Sequence, residues 1–278
     1  MQRVELAQGP INYRETGRGE PILFVHGALV DGTLWRKVTP ALERDHRCIV
    51  PDWPLGSHRE AMHPGADLSP PGLARIVADF AEALDLERMT LVGNDTGGAI
   101  CQILATRHPE RLGRLALTNC DAYDNFLPPA FRYLQLIARL PGGVAAMAQT
   151  MRFDVLRRAP IAYGWLSKRP VPREVLDGWT APLATDSAIR RDTAKVLRGI
   201  SKRYTLEAAE RLREFDRPVL LAWGRDDRFF SPAYAERLAA AIPGARLVWI
   251  DDARTFVSED QPERLAELLG EFAGATGL

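Results

Sequence analysis

No histidine follows His108 in this chain of 278 residues, and the five present are His26, His46, His58, His63 and His108. Any reaction that needs an imidazole must draw it from the first part of the sequence. Cysteine is scarce, with three residues. Cys48, Cys101 and Cys120 each lie in an apolar segment, which suits buried free thiols in a reducing cytoplasm and excludes a disulfide framework. No apolar run approaches the roughly 20 residues needed to span a bilayer, and the first residues lack the basic and apolar regions of a secretory signal. Charge of one sign is also lacking, with 36 basic and 36 acidic residues and a formal net charge of zero. Such a balance provides no global field for nucleic acid or an anionic membrane. The expectation is therefore a cytoplasmic protein whose partner is a small molecule, with no nucleic acid and no membrane. A homodimer is one option for its assembly.

What is present is an alternation of short apolar runs with helical stretches. Strands are predicted at 4–6, 11–14, 22–25, 48–51, 89–92, 115–118, 219–223 and 247–250, and helices at 34–42, 71–84, 99–108, 232–241 and 262–272. The first two strands flank Gly9-Pro10 and can pair as a hairpin. The later runs are continuously apolar, as strands of a parallel sheet covered on both faces are. The fold class expected is α/β, with an eight-stranded, mostly parallel sheet and helices on both faces. Between Asp121 and Arg217 the rhythm changes to helical spacing broken by Pro141, Pro160, Pro170, Pro172 and Pro182. That segment reads as a helical cap over residues 123–210, inserted after the sixth strand into a core formed by 1–122 and 211–278. It would sit over the carboxyl ends of the strands, where open α/β sheets bind ligands.

Chemistry concentrates in Gly93-Asn94-Asp95-Thr96-Gly97-Gly98, between the run Met89-Thr90-Leu91-Val92 and the helical stretch that starts at Ala99. A strand, a tight turn and a helix with small residues on either side of a central acid describe a nucleophile elbow, in which Asp95 is the exposed residue. Backbone N–H groups at the helix start favour an ionised carboxylate there. The amides of Ala28, after His26-Gly27, and of Thr96 are the candidate oxyanion hole. A plain reading also exists: Asp is a favoured helix cap, and Asp95 could do no more than that.

Five landmarks occur in order: His26-Gly27, Pro51-Asp52, the elbow, His108-Pro109-Glu110-Arg111, and Trp223-Gly224-Arg225-Asp226-Asp227. On these residues the chain resembles the α/β-hydrolase superfamily over essentially its full length. Within it the chain resembles the aspartate-nucleophile branch that includes epoxide hydrolases and haloalkane dehalogenases. The resemblance implies that Asp95 attacks or deprotonates and that Asp227 is the catalytic acid, with Asp121 at the end of the sixth strand as a second candidate. It also implies a histidine after the eighth strand. Here that stretch reads Asp251-Asp252-Ala253-Arg254-Thr255-Phe256-Val257, with Thr255 at the expected position. A threonine hydroxyl cannot deprotonate water at neutral pH, so an ester formed on Asp95 would persist unless another base replaced the imidazole. His58, in the loop after the fourth strand, is the candidate replacement.

Thr96 stands where the family's dehalogenases carry a halide-binding Trp, which argues against halide substrates. His26 is expected to shape the oxyanion loop beside the substrate, and Tyr123, Tyr133 and Trp165 to contribute cap contacts to an apolar pocket. No metal cluster, phosphate loop or dinucleotide fingerprint is visible, so no cofactor and no metal are expected. The leading reading is hydrolysis of an epoxide, ester or similar electrophile on a small hydrophobic substrate, with Asp95 as nucleophile or base. A lyase, isomerase or cyclase using Asp95 for acid–base chemistry, and a catalytically silent binding protein, are the alternatives.

Overall fold

A computed structural model of the chain describes residues 1–275. Its strands are β1 (Gln2–Leu6), β2 (Gly9–Thr16), β3 (Glu20–Val25), β4 (His46–Pro51), β5 (Met89–Asp95), β6 (Leu112–Cys120), β7 (Val219–Gly224) and β8 (Arg246–Ile250). They form one eight-stranded sheet in the order β1-β2-β4-β3-β5-β6-β7-β8. β2 pairs antiparallel with β1 and β4, and every other neighbouring pair is parallel. Every expected strand falls within one of these. The central strands are legible because both faces are covered: β7 is buried at every position, and β5 at all but Asp95.

Helices fill the two faces. The core helices before the cap are α1 (Thr39–Leu42), α2 (Pro70–Ala83) and α3 (Thr96–Arg107). In α2, Leu73, Ile76, Val77 and Phe80 recur at helical spacing and are buried together, while Ser69 caps the first turn by accepting from the Gly72 amide at 3.4 Å. Burying a side chain such as Phe80 stabilises the fold by about 1.5–3 kcal/mol. One helix differs from expectation. The stretch 34–42 is not continuous but splits into a 3₁₀ turn (Gly32–Trp35) and the short α1, because Pro40 has no N–H to donate and is accommodated only in a first turn.

Between β6 and β7 lie α4 (Tyr133–Arg139), α5 (Gly143–Thr150), α6 (Asp154–Arg157), α7 (Arg173–Thr185), α8 (Ser187–Gly199) and α9 (Lys202–Arg211). Leu134, Val144, Met147, Leu183, Ile189 and Leu197 form an apolar cluster of their own that reaches the core at Ala99. The last of these helices behaves differently, since Ala208 and Ala209 of α9 bury in the main core cluster. The chain ends with α10 (Pro232–Ala241), α11 (Val257–Asp260) and α12 (Pro262–Gly274). Among the described residues, no helix is long and apolar enough to cross a membrane.

Candidate active site

The carboxyl ends of β3, β5, β6, β7 and β8 bring the chemically informative residues of the sequence to one edge of the sheet. Asp95 closes β5 with φ 56° and ψ −132°, a conformation costing on the order of 1–3 kcal/mol for a residue with a side chain. Glycines permit the bend. A Cβ added at Gly27 would lie 2.7 Å from the Asp95 carboxylate carbon and from Oδ2, so only glycine lets the two loops approach this closely. The Asp95 side chain also caps α3, accepting at Oδ1 from the Thr96 amide at 2.5 Å and from the Thr96 hydroxyl at 3.2 Å. Capping and the exposed elbow position thus coexist in one residue.

With Oδ1 held, Oδ2 has no hydrogen-bond partner among the described residues, and Asp95 lines a cavity roofed by the helical insertion. Ala28 and Thr96 line the same cavity, together with Tyr133, Met147, Tyr163 and Trp179. The remaining walls are largely aliphatic. Burial in this apolar setting pushes the Asp95 carboxyl up to about 7, against the lowering effect of the two Thr96 hydrogen bonds.

A second carboxyl stands behind the first. The Thr96 hydroxyl lies 3.4 Å from Oδ2 of Asp121, which is fully buried and whose Oδ1 has no partner. Burial, and then the negative charge of Asp95, raise Asp121 well above the ordinary carboxylate range. One hydroxyl proton cannot serve both acids. When Asp95 is ionised, the consistent arrangement is a protonated Asp121 donating to Thr96 Oγ1, which in turn donates to Asp95. The geometry is a short proton chain from a buried acid to the cavity.

Asp227 follows β7 and is fully occupied by donors. Its Oδ1 accepts from the amides of Phe229 (2.7 Å) and Phe230 (3.0 Å), and its Oδ2 from Asn119 Nδ2 (2.7 Å) and the Thr255 hydroxyl (3.0 Å). Burial raises it nonetheless. Thr255 is itself fully buried, and its carbonyl accepts from Asn94 Nδ2 at 2.7 Å, which ties the elbow to the loop after β8. Asn94 and Asn119 escaped the sequence reading. Asn94 lies inside the elbow motif and was visible, but its partners are distant in sequence.

The other expected site residues are placed as follows. His26 is buried; its Nε2 accepts from the Trp53 amide at 2.9 Å, so Nδ1 carries the proton and donates to the Gly27 carbonyl at 2.9 Å. That neutral ring fixes the turn leading to Ala28, and burial lowers it to about 4. His58 does not line the cavity: its Nε2 lies 3.4 Å from Asp192 Oδ2 in α8, and that oxygen also accepts from the Met62 amide at 2.8 Å. The pair clamps the loop after β4 to the insertion. Tyr133 lines the cavity and donates to the Ile161 carbonyl at 2.8 Å. Tyr123 lies in the main core, under the Arg237 guanidinium and donating to the Arg237 carbonyl, and Trp165 is exposed beneath Arg228. A further tyrosine, Tyr163, donates to the carbonyl of Leu29 at 2.6 Å, joining the insertion to the loop that bears Ala28.

A family model described as alpha/beta hydrolase fold matches residues 20–262. The chain belongs to the alpha/beta hydrolase fold family. Haloalkane dehalogenase 2 of Mycobacterium tuberculosis is 27% identical over 274 residues, covering 96% of this chain and 93% of that protein. Cis-3-alkyl-4-alkyloxetan-2-one decarboxylase of Shewanella oneidensis is 26% identical over 285 residues, covering 96% and 86%. The solved structure of a haloalkane dehalogenase from Bradyrhizobium elkani superposes with a TM-score of 0.80 at 23% identity, covering 98% and 96%, a likeness of fold. This alpha/beta hydrolase accordingly has haloalkane dehalogenase-like relatives in sequence and in fold.

Proposed function

We propose that this alpha/beta hydrolase acts on a small, largely apolar substrate and that Asp95 is its reacting group, working as a general base that activates water against an epoxide or ester. The observation that carries this reading is the division of labour in one carboxylate: Oδ1 is bound by the Thr96 amide and hydroxyl, while Oδ2 has no protein partner beside an apolar cavity. A carboxyl raised to about 7 is matched to proton transfer near neutral pH. Asp95 takes a proton from water, the hydroxide oxygen bonds to the electrophilic carbon, the carbon–oxygen bond of the leaving group breaks, and Asp95 returns the proton to the departing oxygen. No second base is needed. The amide of Ala28 is suited to stabilise the developing oxyanion.

Direct attack by Asp95 on carbon is the competing route. On an epoxide it would leave a hydroxyalkyl ester, and on an ester a mixed anhydride with loss of the alcohol, with no imidazole after β8 to direct hydrolysis of either, because Thr255 in this reading stands where relatives carry histidine. The raised Asp95 and Asp121 also suit a non-hydrolytic proton shuttle, and the Shewanella oneidensis relative is named a decarboxylase. Thr96, whose hydroxyl is committed to the two carboxyls, offers a halide no indole N–H, which weighs against dehalogenation.

The test is turnover of a panel of epoxides and aryl esters in ¹⁸O-labelled water, with intact-protein mass spectrometry on the same samples. Base catalysis predicts label in the product, none in Asp95, no protein adduct, and loss of turnover in Asp95→Asn. A lasting mass increase mapped to Asp95 would replace base catalysis with covalent attack. Turnover that survives in Asp95→Asn would overturn the assignment of this residue altogether.

A further inference from the structure

Among the described residues, the large hydrophobic side chains that the fold leaves exposed are concentrated in one part of the chain. Apart from Met1, Leu206 and Trp165, the large exposed hydrophobics among the described residues are Leu136 (61%), Leu140, Phe153 (65%), Val155 (82%), Leu156 and Ile161, all within the helical insertion. They belong to one neighbourhood. Ile161 is exposed and at the same time lines the Asp95 cavity, and its carbonyl is held by Tyr133 at the start of α4. Leu136 and Leu140 lie one and two turns further along that helix and its C-terminus. Met151, another cavity residue, leads into Phe153, Val155 and Leu156 on and beside α6. The apolar surface therefore adjoins the cavity at Tyr133, Met151 and Ile161.

Charge is segregated in the same place. The stretch 132–173 holds only one acidic residue, Asp154, against eight basic ones, although the whole chain carries 36 of each sign. Several of these cations are paired: Arg158 with Asp154, Lys168 with Asp226 and Asp252, Arg173 with Asp177. Arg132, Arg139 and Arg152 are exposed and, among the described residues, have no carboxylate partner. They stand beside Tyr133, Leu140 and Phe153, at the margin of the apolar surface.

We infer that this face of the insertion is a docking surface for an anionic lipid bilayer, on which Leu136, Phe153, Val155 and Leu156 enter the interface while Arg132, Arg139 and Arg152 meet lipid phosphates. Apolar side chains beside unpaired arginines satisfy both requirements of interfacial binding, burial of hydrocarbon and attraction to negative charge. A second copy of the chain fits less well. A two-fold contact places the same patch on both partners, so the unpaired arginines of one would face those of the other. Net neutrality of the sequence conceals this surface because the compensating acids lie elsewhere in the chain. The consequence for the enzyme is that its cavity opens toward the phase in which an apolar substrate is dissolved.

Vesicle flotation tests the inference. The full chain is mixed with vesicles of phosphatidylcholine alone or of phosphatidylcholine with phosphatidylglycerol, at low and high salt. The expected result is flotation with the anionic vesicles only, weakened by salt. Val155→Asp with Phe153→Asp, both at exposed positions, is expected to lower it about tenfold or more with an unchanged melting curve, as is Arg132→Gln with Arg139→Gln and Arg152→Gln. Asp95→Asn floats like the parent, which separates this result from the fate of the catalytic reading. Absence of flotation, equal flotation on neutral vesicles, or a dimer in light scattering that Val155→Asp dissolves would each overturn it.

Discussion

The hydroxyl of Thr255 donates to Asp227 Oδ2 at 3.0 Å, so the acid after β7 meets an alcohol in the loop after β8. Asp227 is thereby a carboxylate held by four donors. Thr255→Val removes one of its donors within a buried network, and the expected cost is about 1–3 kcal/mol of stability, read from chemical denaturation. Turnover measured below the melting range is expected to stay within a few-fold of the parent. A large loss of kcat with unchanged stability would give the hydroxyl a direct chemical role.

Asp95 should be a source of instability. Its carboxyl is raised from 3.8 to about 7 in the folded chain, so the folded state holds a proton that the unfolded state releases between those values, and stability falls as pH rises through that window. Asp95→Asn is therefore expected to stabilise the protein at pH 8, on the order of 2–4 kcal/mol, and to have little effect at pH 4. Thermal melts at both values check this. An equal effect at the two pH values would refute the raised ionisation.

The same shift sets the pH dependence of the reaction. If the ionised form of Asp95 is the base, kcat/KM rises with pH through an apparent value near 7 and then levels. A profile flat between pH 5 and pH 9 is incompatible with Asp95 as the base.

Thr96 links Asp95 to Asp121 through one hydroxyl. Thr96→Val breaks that link and removes a hydrogen bond that lowers Asp95. The expected outcome is a kcat about tenfold lower, a smaller change in KM, and a pH profile displaced upward; Thr96→Ser restores all three. A purely structural role would leave the profile in place.

His58 is held against Asp192 at 3.4 Å and lies off the cavity lining. His58→Ala is expected to destabilise the chain by about 1–3 kcal/mol through an undercompensated buried acid, leaving kcat within a few-fold. A tenfold or greater fall in kcat at full folding would restore His58 to the mechanism.

How far the sequence could be read depended on the range of the forces involved. The strands were legible because continuous apolar runs suit strands buried on both faces. The elbow was legible because Gly93, Asp95 and Gly97 stand together in one short stretch between an apolar run and a helical one. What the sequence could not disclose was contact between distant segments: Thr96 with Asp121 across β5 and β6, Asp192 with His58 across 134 residues, Tyr163 with Leu29 across another 134. The first follows from the pairing of β5 with β6, and the other two from how the insertion docks, whose prolines and short helices carry no periodic signal that fixes a docked position. The division of the sequence at 34–42 failed for a local reason, Pro40, that was present in the text of the chain.

Tyr163 holds the carbonyl of Leu29, a residue at φ 60°, and Leu29 adjoins Ala28 at the floor of the cavity. The helical insertion and the loop that bears Ala28 are therefore joined as one mechanical unit. A molecule that displaces this tyrosine on entering also frees a strained peptide in the same cavity wall as Asp95, so admission of a guest and the shape of the loop beneath it cannot be set independently.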